Sequence, residues 1–213
     1  MYRQTRSQFK LFTPLNALVT ASWRYIYWLP TAFVVSYYFV NLKIISGRSM
    51  QPTLNPDFSL WRDVGLFNRY AIHAKLDFAR GDIVALRSPE NPNRVLVKRI
   101  VGLPGDRVKT LPPYPTPEIT VPQGQAWIEG DEPFHSDDSN RFGPVPLALI
   151  ESRLISVVWP PSRFGHLFRS QPTPSKKNIS TPQEHSAYQL AMAELDRQRW
   201  RSTRVTAASR NST

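Results

Sequence analysis

Cysteine is absent from the 213 residues, which excludes disulfides, thiolate metal sites and a cysteine nucleophile without identifying a compartment. Acidic residues are missing from Met1 to Arg48, where Arg3, Arg6, Lys10, Arg24, Lys43 and Arg48 are all positive. They are also sparse after His166, where Lys and Arg outnumber Glu184, Glu194 and Asp196. The formal charge of +11 is therefore an excess at the two ends around a nearly balanced middle. A nucleic-acid-binding face would gather charge on one folded surface, so that class is a poor match. Internal repeats are absent as well. What is present, 41% hydrophobic residues in a chain of this length, suits one folded domain plus appendages. Twenty prolines assign much of the rest to loops and tails.

The stretch "WRYIYWLPTAFVVSYYFVNLKII", Trp23 to Ile45, is mostly apolar or aromatic, and its only charged or amide side chains are Arg24, Asn41 and Lys43. About 20 helical residues cross a hydrocarbon core of roughly 30 Å, so residues 25–45 are expected as a transmembrane helix. Its aromatic residues near both ends resemble interfacial anchors, and Pro30 is tolerable within the first turns. A buried amphipathic helix is the alternative. The acid-free flank over 1–24 places the first residues on the side from which insertion begins, and it equally resembles a mitochondrial presequence. One feature serves both readings.

After Ser49 the pattern is one of short strands and turns. "RGDIVALRSP" (80–89) and "RVLVKRIVGLPGDRV" (94–108) are strands joined to Gly-Asp turns. "AWIEGDEPFHSDDSNRFGPVP" (126–146) reads as a strand, a turn-rich loop and a Gly-Pro exit, and "LISVVWPP" (154–161) as a last strand. A mainly β domain is expected over 46–165, with a Pro-rich surface loop at 111–124. The tail, 166–213, is expected to be basic and disordered, with a short helix possible over "PQEHSAYQLAMAELDRQRW".

Strand alternation singles out Lys98 and Arg99. Neighbours in a strand point to opposite faces, so one of these two cations must lie among aliphatic side chains. Only lysine can respond by losing its proton, because guanidinium stays charged. Burial lowers a lysine pKa by up to roughly 3–5 units and yields a neutral amine able to act as a general base. A serine hydroxyl needs such a base to attack a carbonyl. His73, His135, His166 and His185 have no visible serine and carboxylate partners and are expected to be surface or core-edge residues.

The neighbouring segments resemble the boxes of the type I signal peptidases: "SMQPT" at 49–53, "RGDIVAL" at 80–86, "VKRIVGLPGD" at 97–106 and "GDEPFHSDDSNRFGPV" at 130–145. The resemblance implies a serine endopeptidase with Ser49 as nucleophile and Lys98 as general base. It implies Ser136 as the hydroxyl that orients the amine, and Asp138 as a structural acid beside the site. The Ser49 backbone N–H would receive the oxyanion. Gly47 stands where some members supply a hydroxyl, so the second donor is open, with a backbone group there as the candidate. Ile45 and Val97 align with residues of the small-side-chain pockets, and Asn140 stands where many members have arginine.

Within the family, compact box spacing and the "Asp-Ser-Asn" form resemble the mitochondrial inner membrane branch, and the second of its two catalytic subunits. That implies a single-pass anchor and a peptidase domain facing the intermembrane space. It also implies a heterodimer with the first catalytic subunit, preprotein substrates, and no metal or organic cofactor. A secretory signal peptidase of bacterial type and an inactive scaffold subunit are the alternatives. A self-cleaving repressor is disfavoured by the apolar span and the absence of a helix-turn-helix segment.

Overall fold

The computed structural model describes residues 27–34, 38–57, 59–132, 136–165 and 182–208. Contacts divide the chain into two units, Met1–Phe39 and Val40–Thr213. In the first, residues 27–34 are helical, with Tyr27, Trp28, Leu29 and Phe33 exposed. Among the described residues no helix is long and apolar enough to cross a membrane. The segment 1–24 lies outside the described residues.

The second unit begins earlier than expected. Val40–Ile44, read from sequence as the end of a helix, is strand β1. Its residues alternate: Leu42 and Ile44 are exposed, while the Lys43 ammonium between them meets Glu151 at 3.0 Å and lies over the Phe67 ring. A period of two with a paired lysine is strand chemistry, and a continuous apolar reading conceals it.

The other strands are β2 (Val64–Asn68), β3 (Ile83–Arg87), β4 (Val95–Gly102), β5 (Arg107–Lys109), β6 (Glu118–Thr120), β7 (Gln125–Glu129), β8 (Val145–Pro146), β9 (Ile150–Trp159) and β10 (Val205–Thr206). A seven-stranded antiparallel sheet runs β1-β2-β9-β3-β4-β7-β8, and a three-stranded one runs β10-β5-β6. β3 is covered on both faces. Val84 and Leu86 pack with Leu96, Ile100 and Ile128, whereas Ile83 and Ala85 pack with Ile45, Met50, Leu54 and Phe67. Burial on both sides explains why "IVAL" is an unbroken apolar run.

Two expectations need correction. The Pro-rich segment 111–124 is more than a surface loop: it supplies β6, and Tyr114 meets the buried Trp127 ring edge-on at 5.1 Å. The tail is not disordered over 182–208, where helix α1 (Pro182–Thr203) is followed by β10, with Val205 opposite Val108. Glu194 and Arg204 are buried there, each with charged partners, so charges that read as solvated are consumed inside the fold. Residues 166–181 and 209–213 lie outside the described residues.

Candidate active site

Ser49 sits in a loop closed on itself. Gln51 N donates to Arg48 O, and Leu54 N donates to Met50 O. Asn55 locks the base: its Nδ2 donates to Ile45 O at 2.8 Å and to Gly47 O at 3.3 Å, while its N and Oδ1 exchange hydrogen bonds with Asp63. Asn55 has φ 50°, a left-handed conformation that asparagine tolerates better than most residues. On either side of the serine, Ile45 and Met50 are buried at 3% and 2% exposure. Half-buried Ser49 is thus held between two anchors, next to exposed Gly47 at φ 95°. Ile45 and Val97, the two pocket candidates, belong to one apolar cluster.

Lys98 is in the middle of β4, opposite Val84, on the face carrying Leu96 and Ile100. Burial, at 2% exposure, lowers its pKa from 10.5 to about 8, against the Asp138 and Asp137 carboxylates, which favour the protonated form. Its Nζ donates to Ser136 Oγ at 2.8 Å. A neutral amine that spends one N–H on Ser136 has its rotation restricted and its lone pair directed elsewhere.

Gly130 is where the separate pieces meet. A Cβ on Gly130 would stand 2.5 Å from Ser49 O and closer still to Ser136 Oγ, so only glycine lets the three segments approach. The next turn adds a tether, Glu132 N donating to Ser49 O at 3.1 Å. Asp138 fixes this region from below. Its Oδ2 accepts from Gly130 N at 3.0 Å, and its Oδ1 accepts from Asn140 N at 3.0 Å as the N-cap of the helical turn Ser139–Phe142. Asn140 is buried; its Oδ1 accepts from Leu111 N at 2.8 Å and its Nδ2 donates to Asp138 and Glu129.

The structure therefore brings Lys98, Ser136, Asp138 and the Ser49 carbonyl together around Gly130. Gly130 and Asn55 escaped the sequence reading, although the Asn-Pro dipeptide at 55–56 was a visible turn signal. His135 and His166 lie outside the described residues, and His73 lies in the helical turn Tyr70–His73. Among the described residues no group of His, Asp and Glu is arranged to hold a metal.

Arg99, on the opposite face of β4, is also buried, so both cations of the pair lie inside. Its guanidinium donates to both oxygens of Asp131 at 2.9 and 2.7 Å. Burial works to raise the Asp131 carboxyl, but Arg99 and Arg201 prevail and hold it below the usual carboxylate range. A cavity of about 1070 Å³ lies on this side, lined by Arg80, Arg99, Arg153 and Arg201 with Asp77 and Asp82. Neither Ser49, Lys98 nor Ser136 lines it, and those arginines are already ion-paired.

Amide hydrolysis by serine needs a base that is neutral near physiological pH, and a buried amine brought down to about 8 beside the Ser136 hydroxyl fits the chemistry of one class, the serine endopeptidases that use lysine where others use histidine. Residues 18–112 match the family described as "Signal peptidase, peptidase S26". The "Mitochondrial inner membrane protease subunit 2" of Saccharomyces cerevisiae is 41% identical over 151 residues, 70% of this chain and 82% of that protein. The protein of the same name from Schizosaccharomyces pombe is 45% identical over 141 residues, 66% of this chain and 76% of that one. The "Mitochondrial ATP-independent inner membrane protease subunit 1a" of Arabidopsis thaliana is 40% identical over 139 residues, 63% and 79% of the two chains. With identity at this level across most of its relatives' length, the chain belongs to the signal peptidase family, peptidase S26.

Proposed function

We propose that this chain is a catalytic subunit of a mitochondrial inner membrane peptidase that removes sorting or signal segments from proteins delivered to the intermembrane space. Ser49 is the nucleophile and Lys98 its general base. The observation that carries the reading is the Lys98–Ser136 hydrogen bond, made beside the peptide that seats the Ser49 carbonyl. Similarity to inner membrane protease subunits from fungi and a plant supports the location.

In this reading neutral Lys98 takes the Ser49 hydroxyl proton as Oγ attacks the scissile carbonyl. The oxyanion is received by backbone N–H groups of the loop, Ser49 first and Gly47 second. The resulting ammonium then protonates the departing amine, leaving an acyl-Ser49 ester and a neutral lysine. That lysine next deprotonates the water that hydrolyses the ester. Ser136 restricts the amine throughout, and Asp138 holds the Gly130 peptide in place.

The apolar segment before β1 anchors the chain once through the membrane, with the basic N-terminus in the matrix and the β domain in the intermembrane space. Sharing a bilayer with its substrates raises their effective concentration at the site. The partner is the first catalytic subunit, in a heterodimer. Cleavage of a tethered preprotein by the detergent-solubilised complex tests the reading with Ser49→Ala and Lys98→Met. Both substitutions abolish processing while the partner's abundance is unchanged. Processing of every tested substrate by intact complexes carrying either variant would instead assign catalysis to the partner and a scaffold role to this chain.

A further inference from the structure

Gly130 lies between two carboxylates, and the C-terminal segment holds both. Arg204 donates from Nη2 to Glu129 Oε1 at 2.6 Å and from Nη1 to Oε2 at 2.9 Å. Its Nε and Nη2 also reach Lys109 O, and its guanidinium lies over the Trp200 ring. On the other side, Arg201 donates to Asp131 Oδ1 at 2.7 Å and to Glu194 Oε1 at 2.9 Å. Glu194 in turn accepts from the hydroxyl of buried Thr53, in the Ser49 loop, at 3.4 Å. Arg99, Arg197 and Arg201 thus surround Asp131 and Glu194, three charges against two.

We infer that residues 194–206 form a positioning element of the active site, with Arg204 and Arg201 acting through Glu129 and Asp131 to fix the Gly130 peptide that seats Ser49 and Ser136. Without Arg204, Glu129 would be a buried carboxylate whose remaining side-chain partners among the described residues are the Trp127 indole N–H and the Asn140 amide. Such a group moves toward water if it can, because an unpaired buried charge is far more costly than a displaced loop. The loop available to move is Gly130–Glu132, bonded directly to Ser49 O. Lysine cannot replace Arg204, since one ammonium cannot span both Glu129 oxygens and the Lys109 carbonyl as the planar fork does. The tail is therefore part of the working site, although it contributes no reacting group.

This inference rests on Ser49 and Lys98 performing the cleavage, and the experiment separates the two. The full chain in its solubilised complex is assayed as wild type, Arg204→Ala, Arg204→Lys, Arg204→Ala/Glu129→Gln and Ser49→Ala. Rates are expressed per intact complex at a temperature where each remains folded. A displacement near 1 Å costs on the order of 100-fold, so Arg204→Ala lowers kcat by roughly 10–100-fold with KM within about twofold. Arg204→Lys recovers part of this. The double variant recovers most, because no buried carboxylate remains unpaired. Wild-type kcat in Arg204→Ala overturns the inference, as does a loss that Glu129→Gln leaves unchanged. Should Arg204→Ala not assemble, the double variant and Arg204→Lys decide on the same terms. An active Ser49→Ala would sink the nucleophile assignment, whereas an inactive Ser49→Ala beside a fully active Arg204→Ala would sink the positioning role alone.

Discussion

Lys98 and Arg99 follow one another on β4, and both are buried, at 2% and 7% exposure, on opposite faces of the strand. The two solve the same problem in different ways. Arg99 keeps its charge and takes Asp131 as a counterion; Lys98 has a hydroxyl partner and a pKa near enough to neutrality for the proton to leave. Exchanging the two residue types would defeat both faces, since guanidinium cannot serve as a base and an ammonium cannot bind Asp131 bidentately.

A pH dependence follows from Lys98. The working form is the neutral amine, so kcat/KM rises about tenfold per pH unit below the midpoint and levels off above about 8. The Asp137 carboxylate raises the Lys98 pKa, and Asp137 is outside the reacting groups. Asp137→Asn therefore moves the rising limb toward lower pH while leaving the plateau in place. A pH–rate profile of the two proteins, with a tethered peptide substrate, checks the sign. A shift toward higher pH would mean that the limb belongs to another group.

Lys98→Met is expected to inactivate the enzyme and to stabilise it. The folded-state pKa lies below the ordinary lysine value, so between about pH 8 and 10.5 the unfolded chain binds more protons and stability rises with pH. Below pH 8 that contribution is absent, and the buried ammonium costs up to about 3 kcal/mol at neutrality. Loss of the Ser136 hydrogen bond offsets about 1 kcal/mol of this. Thermal melting in detergent should show Lys98→Met above wild type at pH 7, with the gap closing toward pH 10. An equal or lower melting temperature at pH 7 would show that the buried amine carries no such cost.

Much of this was legible in the sequence because it is written locally. The alternation in "VLVKRIV" exposed the problem of two adjacent cations, and the turn signals around Gly81 and Gly105 delimit β3 and β4. What escaped the sequence reading is nonlocal. Arg204 and Glu129 lie 75 residues apart, and nothing in a basic tail says that one of its guanidinium groups meets a buried carboxylate. β1 was hidden for a different reason: "VNLKI" continues an apolar run, and only pairing with β2 distinguishes strand from helix there. Gly130 carries no chemistry, so its importance emerges only when three separate segments are seen to converge on it.

That convergence makes Gly130→Ala the sharpest test of the site's geometry. The added methyl would stand 2.5 Å from Ser49 O, a backbone atom tied to Glu132 N, and would also press on Ser136 Oγ. Real Cβ contacts do not come so close, so something must give. The Ser136 hydroxyl can rotate away, which breaks its bond to Lys98, or the Ser49 loop can retreat, which moves the nucleophile. Either response misaligns the reacting groups by an amount that costs on the order of 100-fold in kcat. Overpacking of this kind destabilises by about 1–3 kcal/mol, small enough for the protein to remain folded. The expected outcome is a folded, assembled and nearly inactive enzyme, with KM changed far less than kcat. Wild-type turnover in Gly130→Ala would mean that Ser49 and Ser136 need not approach as closely as they do here, and that the lysine is oriented by another group.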